Sequence, residues 1–354
     1  MKIYIRATAA ISPQETFGLV PFLANPVAST GTVLKVIEPD YKDIIDPKLI
    51  RRMSRIIRMG VAAASQCLKE AGEKNPGAII TGTTYGCLED TEIFLRRIIE
   101  QGEEMLSPTA FIQSTHNTVG AQIALMIHCH QYNNTFVHNG FSFESALLDA
   151  MMLLEENEVT NVLTCSVDEI SEISYSILNR FGLYKRKPVS NLSLFSSCTN
   201  GTIAGEGAAC FLLANQPGVN DYAQLDAITT FYKPEDITTT ANRISVFLEN
   251  QSISMNDIDL VIVGNNGDVK NDKIYDDIKN VVFNNSEVIN YKHLCGEYPT
   301  SSSFALWLAA NIIKTGQVPV VAGNISDKNK LKRILIYNNY QNIYHSLLLI
   351  SALN

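Results

Sequence analysis

No stretch of this chain stays apolar long enough to cross a bilayer as a helix, which argues against a membrane-spanning protein. Basic residues are few: 28 Lys and Arg stand against 36 Asp and Glu, for a net charge of -8. Nucleic-acid binding needs a concentrated basic surface, and the short, scattered Lys/Arg clusters do not supply one. A Cys-x-x-Cys pair is also missing. The seven cysteines are odd in number and scattered, so they read as reduced, mostly buried thiols of a cytoplasmic protein. The opening Met-Lys-Ile-Tyr-Ile-Arg lacks the uninterrupted apolar run of a signal peptide and alternates like an edge strand. There is no tandem repeat.

What is present suits a layered interior. With 354 residues and 46% hydrophobic content, the chain can bury one large core or two fused ones. Strand and helix patterns alternate, which predicts α/β architecture. Helices are expected over 47–72, 90–101, 117–128, 237–250, 270–283 and 302–314. Strands are expected over 77–84, 135–138, 161–166, 223–232, 259–264, 333–338 and 346–350. Gly72 reads as the C-cap of the first helix. The run Gln216-Pro217-Gly218-Val219-Asn220-Asp221 is the best boundary, dividing the chain into halves 1–215 and 216–354. The halves echo each other in element order, which hints at a duplicated unit.

The most informative stretch is 135–169, read as strand, tight turn, apolar helix and second strand. At a turn of this kind the N–H groups of the helix N-terminus and its dipole favour developing negative charge. The turn carries Gly140-Phe141-Ser142-Phe143 and no cysteine. The last Gly of a G-x-S-x-G elbow is absent, so Ser142 reads as the helix cap. The other possibility is Ser142 as an alternative nucleophile, with His138 or His293 as its base. His128 and His130 flank Cys129, but a third and fourth ligand are missing and no metal is expected. Lys185-Arg186-Lys187 reads as a solvated loop, with contact to an acidic partner as the alternative.

Several segments together resemble the β-ketoacyl-ACP synthase family, the condensing enzymes of the thiolase fold. They are Arg51-Arg52-Met53-Ser54-Arg55, Gly82-Thr83-Thr84-Tyr85-Gly86, Leu106-Ser107-Pro108-Thr109-Ala110-Phe111 with His116-Asn117, Gly205-Glu206-Gly207-Ala208-Ala209, and 292–297. No single motif is strong, but their order and spacing match along nearly the whole chain. The resemblance implies a five-layer αβαβα fold of two duplicated halves. It also implies a dimer that pairs the strand at 135–138, a substrate held on a carrier protein's phosphopantetheine, and no cofactor of the chain's own.

The resemblance further implies one catalytic cysteine and two histidines, and none is in place here. Alignment puts Phe141 on the cysteine, or Ser142 after a one-residue slip. Gly264 or Asn265 falls on the first histidine and Glu297 on the second, while Lys292 fits its family position. A thiolate is both nucleophile and leaving group, and imidazoles polarise the extender carbonyl, so the chemistry needs those types. The family's closing Gly-rich loop is degraded to Asn338-Asn339-Tyr340-Gln341-Asn342. Family members without the nucleophile serve as chain-length factors beside an active ketosynthase, in type II polyketide or aryl-polyene pathways or fatty-acid-like biosynthesis. The expectation is such a catalytically deficient subunit, in a homodimer or a heterodimer, whose Thr109, Phe111, Gln113 and His116 reach the partner's acyl tunnel. Known chain-length factors carry glutamine where Phe141 stands. The alternatives are an acyltransferase or hydrolase using Ser142 or Glu297, and a non-catalytic homodimeric scaffold. By the same resemblance Asp168 is a structural acceptor, although Asp168-Glu169 also reads as a paired-carboxylate site.

Overall fold

The computed structural model describes residues 2–18, 22–325 and 331–353. Ten strands make one ladder: β1 (Ile3–Ile11), β2 (Ala78–Gly82), β3 (Tyr132–Phe136), β4 (Asn161–Asp168), β5 (Gly207–Ala214), β6 (Ala223–Tyr232), β7 (Leu260–Val263), β8 (Val288–Asn290), β9 (Arg333–Tyr340) and β10 (Tyr344–Ser351). Their order is β3-β2-β4-β5-β1-β6-β10-β9-β7-β8. Read outward from the middle, each set of five follows the same path. The first strand of a set pairs antiparallel with its fifth, the fifth antiparallel with its fourth, and the fourth, second and third run parallel. The chain has built one topology twice.

The α-helices longer than four residues are α1 (Arg55–Ala71), α2 (Leu88–Glu100), α3 (Pro108–Gln113), α4 (Thr118–Ile127), α5 (Ser142–Glu155), α6 (Glu172–Arg180), α7 (Ile237–Asn250), α8 (Val269–Val281) and α9 (Ser302–Thr315). Side chains alternate across a strand, so consecutive residues enter different layers. Ile80 faces the central helices α5 and α9, whereas Ile79 faces α1 and α4. Leu348 likewise faces the centre and Leu347 faces α7 and α8. The result is helix, sheet, helix, sheet, helix, with α5 and α9 buried between the two five-strand sections. This is the thiolase-like αβαβα architecture.

Several local expectations need correction. β1 is the centre of the molecule and not an edge: Ile3 and Ile5 pair with Leu225 and Ala223 of β6, and Tyr4 to Ile11 pair with β5. Its alternation reflects inward Ile3 and Ile5 beside half-exposed Tyr4 and Arg6, the latter held by Asp221. The helix expected over 47–72 is broken. A short turn at Pro47–Ile50 ends before Ser54, whose extended backbone (ψ 171°) starts α1 anew. The break lets Met53 bury while Arg55 reaches Glu206. Gly72 does close α1, in the left-handed region at φ 67°. Not all cysteines are free thiols: Cys165 and Cys210 are direct partners on β4 and β5, and they are bonded to each other. Neither helical nor strand pattern reveals such a cross-strand neighbour.

Candidate functional site

The β3 strand ends at Phe136, and a 3-10 turn at Asn139–Phe141 feeds α5. Asn139 holds the turn in the left-handed region at φ 52°, and its Nδ2 donates to Tyr344 Oη at 3.1 Å. Only glycine fits next. A Cβ on Gly140 would lie 2.7 Å from Tyr344 Cβ and 2.9 Å from Tyr340 Cβ. Phe141 then packs edge-on to Tyr344 and His138, with ring centroids at 5.0 and 5.5 Å, and is 6% exposed. A benzyl group therefore occupies the tip of the central helix.

Ser142 is fully buried and turned back into this turn. Its Oγ accepts the His138 N–H at 2.9 Å and donates to the Asn139 carbonyl at 2.8 Å, with Thr84 Oγ1 at 3.3 Å. It thus ties the turn together and does not cap α5, which has no side-chain cap. Neither candidate base meets it. The His138 Nδ1 contacts Ser145 Oγ, and the His293 Nε2 contacts the Val321 carbonyl while its ring rests on Phe195.

The loop after β7 leaves no room for an imidazole at Gly264. A Cβ there would meet Asn338 Oδ1 and Tyr275 Oη, both at 2.5 Å. Asn265 lines a separate cavity of about 320 Å³. The residue that turns inward is Asn266, one position further than the sequence suggests, and its Nδ2 donates to Glu297 Oε2 at 2.6 Å. Asp272 fixes this loop by accepting the N–H groups of Asn266 and Gly267, each at 2.8 Å.

Glu297 and Lys292 form a buried ion pair, with Nζ 2.9 Å from both carboxylate oxygens. The ammonium also donates to the Asn339 carbonyl at 3.1 Å. Burial pushes the Glu297 carboxyl upward, opposed by Lys292 and Asn266. Gly296 (φ 75°) and Gly205 cross backbone to backbone there, since a Cβ on Gly296 would lie 2.5 Å from Gly205 Cα. This crossing explains why two glycine-containing segments far apart in sequence share one site. Residues Asn338 to Tyr344 are no open loop: Tyr340 pairs with Tyr344, and Gln341 and Asn342 turn the hairpin at φ 58° and 55°.

Asp168 is an internal acceptor, taking bonds from Thr83 Oγ1, the Thr84 N–H and Thr300 Oγ1 at 3.1, 2.8 and 2.8 Å. Glu169 points elsewhere, to the Glu89 N–H, and burial pushes its carboxyl up to about 7. The two do not form a paired-carboxylate site. Lys185 is not solvated. It is buried, and its Nζ donates to Thr199 and to the Gly267 carbonyl at 2.6 Å, while Arg186 and Lys187 are exposed. Glu144, which sequence reasoning missed, is buried on α5 and accepts from Ser346 Oγ at 2.8 Å. Thr109, Phe111, Gln113 and His116 lie outside this cluster: Thr109, Phe111 and His116 are exposed, and Gln113 Nε2 reaches the Arg52 carbonyl. Among the described residues no group of His, Cys, Asp and Glu could hold a metal, and no helix is long and apolar enough to cross a membrane.

Residues 35–190 match the family described as the N-terminal domain of β-ketoacyl synthase. No curated protein matches the sequence. Among solved structures, the ishigamide ketosynthase/chain length factor superposes with a TM-score of 0.81 at 16% identity, covering 100% of this chain and 99% of that one. A type II polyketide acyl-carrier protein in complex with its hexaketide-bound ketosynthase gives 0.80 at 14% identity, with 99% of each chain covered. A ketosynthase in complex with its chain length factor from Xenorhabdus doucetiae gives 0.73 at 14%, covering 99% of this chain and 98% of that one. At such identities the structural likeness speaks for the fold. The match over residues 35–190 and the thiolase-like fold along the whole chain together liken the protein to the β-ketoacyl synthases.

Proposed function

We propose that this chain is a catalytically deficient ketosynthase-like subunit. It works as a chain-length-factor-type partner of an active ketosynthase that elongates acyl chains carried on a carrier protein's phosphopantetheine. Phe141 is the observation that carries this proposal. A phenyl ring cannot take up an acyl group, and it fills the helix tip where a thiolate would be stabilised. Two further features agree with it. Gly264 has space for no side chain, and Glu297 sets negative charge, tied to Lys292, where the family places a histidine. The named complexes of similar fold contain a ketosynthase with its chain length factor, and a carrier protein with its ketosynthase.

The surface supplies a place for such a partner. β3 is the last strand of the ladder, so one row of its backbone groups has no strand beside it. Apolar side chains stand exposed on and after α2 and on α3, among them Ile99 at 82%, Met105 at 96% and Phe111 at 57%. Thr109, Phe111, Gln113 and His116 belong to the same region and would reach the partner's tunnel. Co-expression with a ketosynthase bearing an intact Cys-His-His set tests the proposal. A stable one-to-one complex is expected. A persistent homodimer that ignores the ketosynthase would favour a scaffold instead.

A further inference from the structure

Helix α6 carries apolar side chains on two faces. Tyr175 and Leu178 pack inward against Ile170, Tyr184 and Ala204. Ile173, Ile177 and Phe181, four residues apart, form a second row that faces solvent, at 38%, 50% and 76% exposure. The C-terminal end of this row is basic. Arg180 closes the helix, and Arg186 and Lys187 stand exposed on the loop after it. Tyr184 holds that loop to α6 by stacking on Tyr175, with ring centroids at 5.2 Å. The acidic groups lie elsewhere. Glu89, Glu92, Glu169 and Glu172 gather at the N-terminal end around Ser171, while Asp268 and Asp272 face the buried Lys185. Singly exposed apolar residues are ordinary, but an apolar row with a basic end stands out on a chain of net charge -8. The row is also narrow. It runs along about 12 Å of helix. Three side chains fall well short of the roughly 800 Å² that each partner of a specific protein complex buries. A lipid surface needs no matched shape: apolar side chains enter the boundary below the headgroups, and flanking Lys and Arg meet the anionic headgroups.

We propose that the outer face of α6 and the loop after it dock on an anionic lipid surface. Ile177 and Phe181 enter the boundary between headgroups and acyl chains, and Arg180, Arg186 and Lys187 meet the headgroup phosphates. This goes beyond the partner role proposed above and needs no second subunit. Co-sedimentation of the full chain, without a ketosynthase, with vesicles of equal parts phosphatidylglycerol and phosphatidylcholine tests it. Binding is expected at low salt, weakened by added salt and at least tenfold weaker to phosphatidylcholine alone. Phe181→Ser, at a position open to solvent, weakens it about tenfold or more, with the far-ultraviolet circular dichroism unchanged. Arg186→Glu together with Lys187→Glu has an effect of the same order. Arg243→Glu together with Lys279→Glu changes the net charge equally, on α7 and α8 of the other half, and leaves binding as it was. Absence of binding to the phosphatidylglycerol vesicles overturns the proposal. So does equal binding to phosphatidylcholine, unchanged binding in Phe181→Ser, or an equal loss in the variant of α7 and α8. Phe181-dependent binding of purified carrier protein by a chain that ignores the vesicles overturns it in favour of an acidic protein partner.

Discussion

Phe141 and Glu297 were legible in the sequence because each sits at a fixed offset from a neighbouring landmark. One precedes the apolar helix before Asn161, and the other follows a glycine after Lys292. Asn266 was not legible, because which residue of the loop 264–268 turns inward depends on Asp272 accepting two of its N–H groups. Lys185 looked like part of a charged loop because its partners, Thr199 and Gly267, come from distant segments. The buried pair gives a direct prediction at this scale. Glu297→Leu leaves Lys292 uncompensated and costs about 3–5 kcal/mol, read by denaturant unfolding. Adding Lys292→Met to it restores most of that loss, since replacing a whole buried pair is close to neutral. Phe141→Cys restores no condensation in the isolated chain, measured with acyl- and malonyl-loaded carrier protein, because Gly264 and Glu297 still supply no imidazole.

Two buried histidines set a pH dependence of known sign. Burial lowers His293 and His345 to about 4, against an ordinary value near 6.5. Between these values the unfolded chain takes up protons that the folded chain refuses. Their contribution is therefore full above about pH 6.5 and is lost as the pH falls towards 4. Glu169 at about 7 and Asp272 at about 6 act in the opposite sense, so comparison with a variant isolates the imidazole. Unfolding at pH 7 and pH 5 should show His345→Gln losing about 1–2 kcal/mol less than the unaltered protein.

At the scale of elements, strands and helices with clear local signals were readable to the residue. Ala223–Tyr232 and Ile237–Asn250 have the expected ends, and Asp236 closes the helix by accepting the Thr239 N–H at 2.7 Å. The short β8 carried no pattern of its own and is a strand because Val261 to Val263 template it. β1 misled through its alternation, since a central strand joining two sections can still leave Tyr4 and Arg6 half exposed. The edge strand β3 gives the prediction at this level. Thr135→Pro removes a backbone N–H that faces away from β2 and meets only Asn134 Oδ1. It is expected to lower association with a partner subunit by at least tenfold, as read by analytical ultracentrifugation, while the far-ultraviolet circular dichroism stays unchanged. Loss of the whole fold in that variant would show that β3 serves the interior and not an interface.

Across the whole molecule, the duplicated topology puts the N-termini of α5 and α9 and the hairpin at Tyr340–Tyr344 in one place. Element order alone suggested two similar units. It could not show that Gly140 sits under the hairpin, because that contact joins residues some two hundred positions apart. On the function proposed above, the hairpin, Phe141 and the Lys292–Glu297 pair close the place where an active ketosynthase would take up its acyl chain. Intact-protein mass spectrometry after incubation with acyl-loaded carrier protein and an active ketosynthase tests that closure most directly. The predicted spectrum shows the acyl mass on the ketosynthase and an unchanged mass for this chain. An acyl adduct on this chain, mapped to the turn at 139–142, would contradict it.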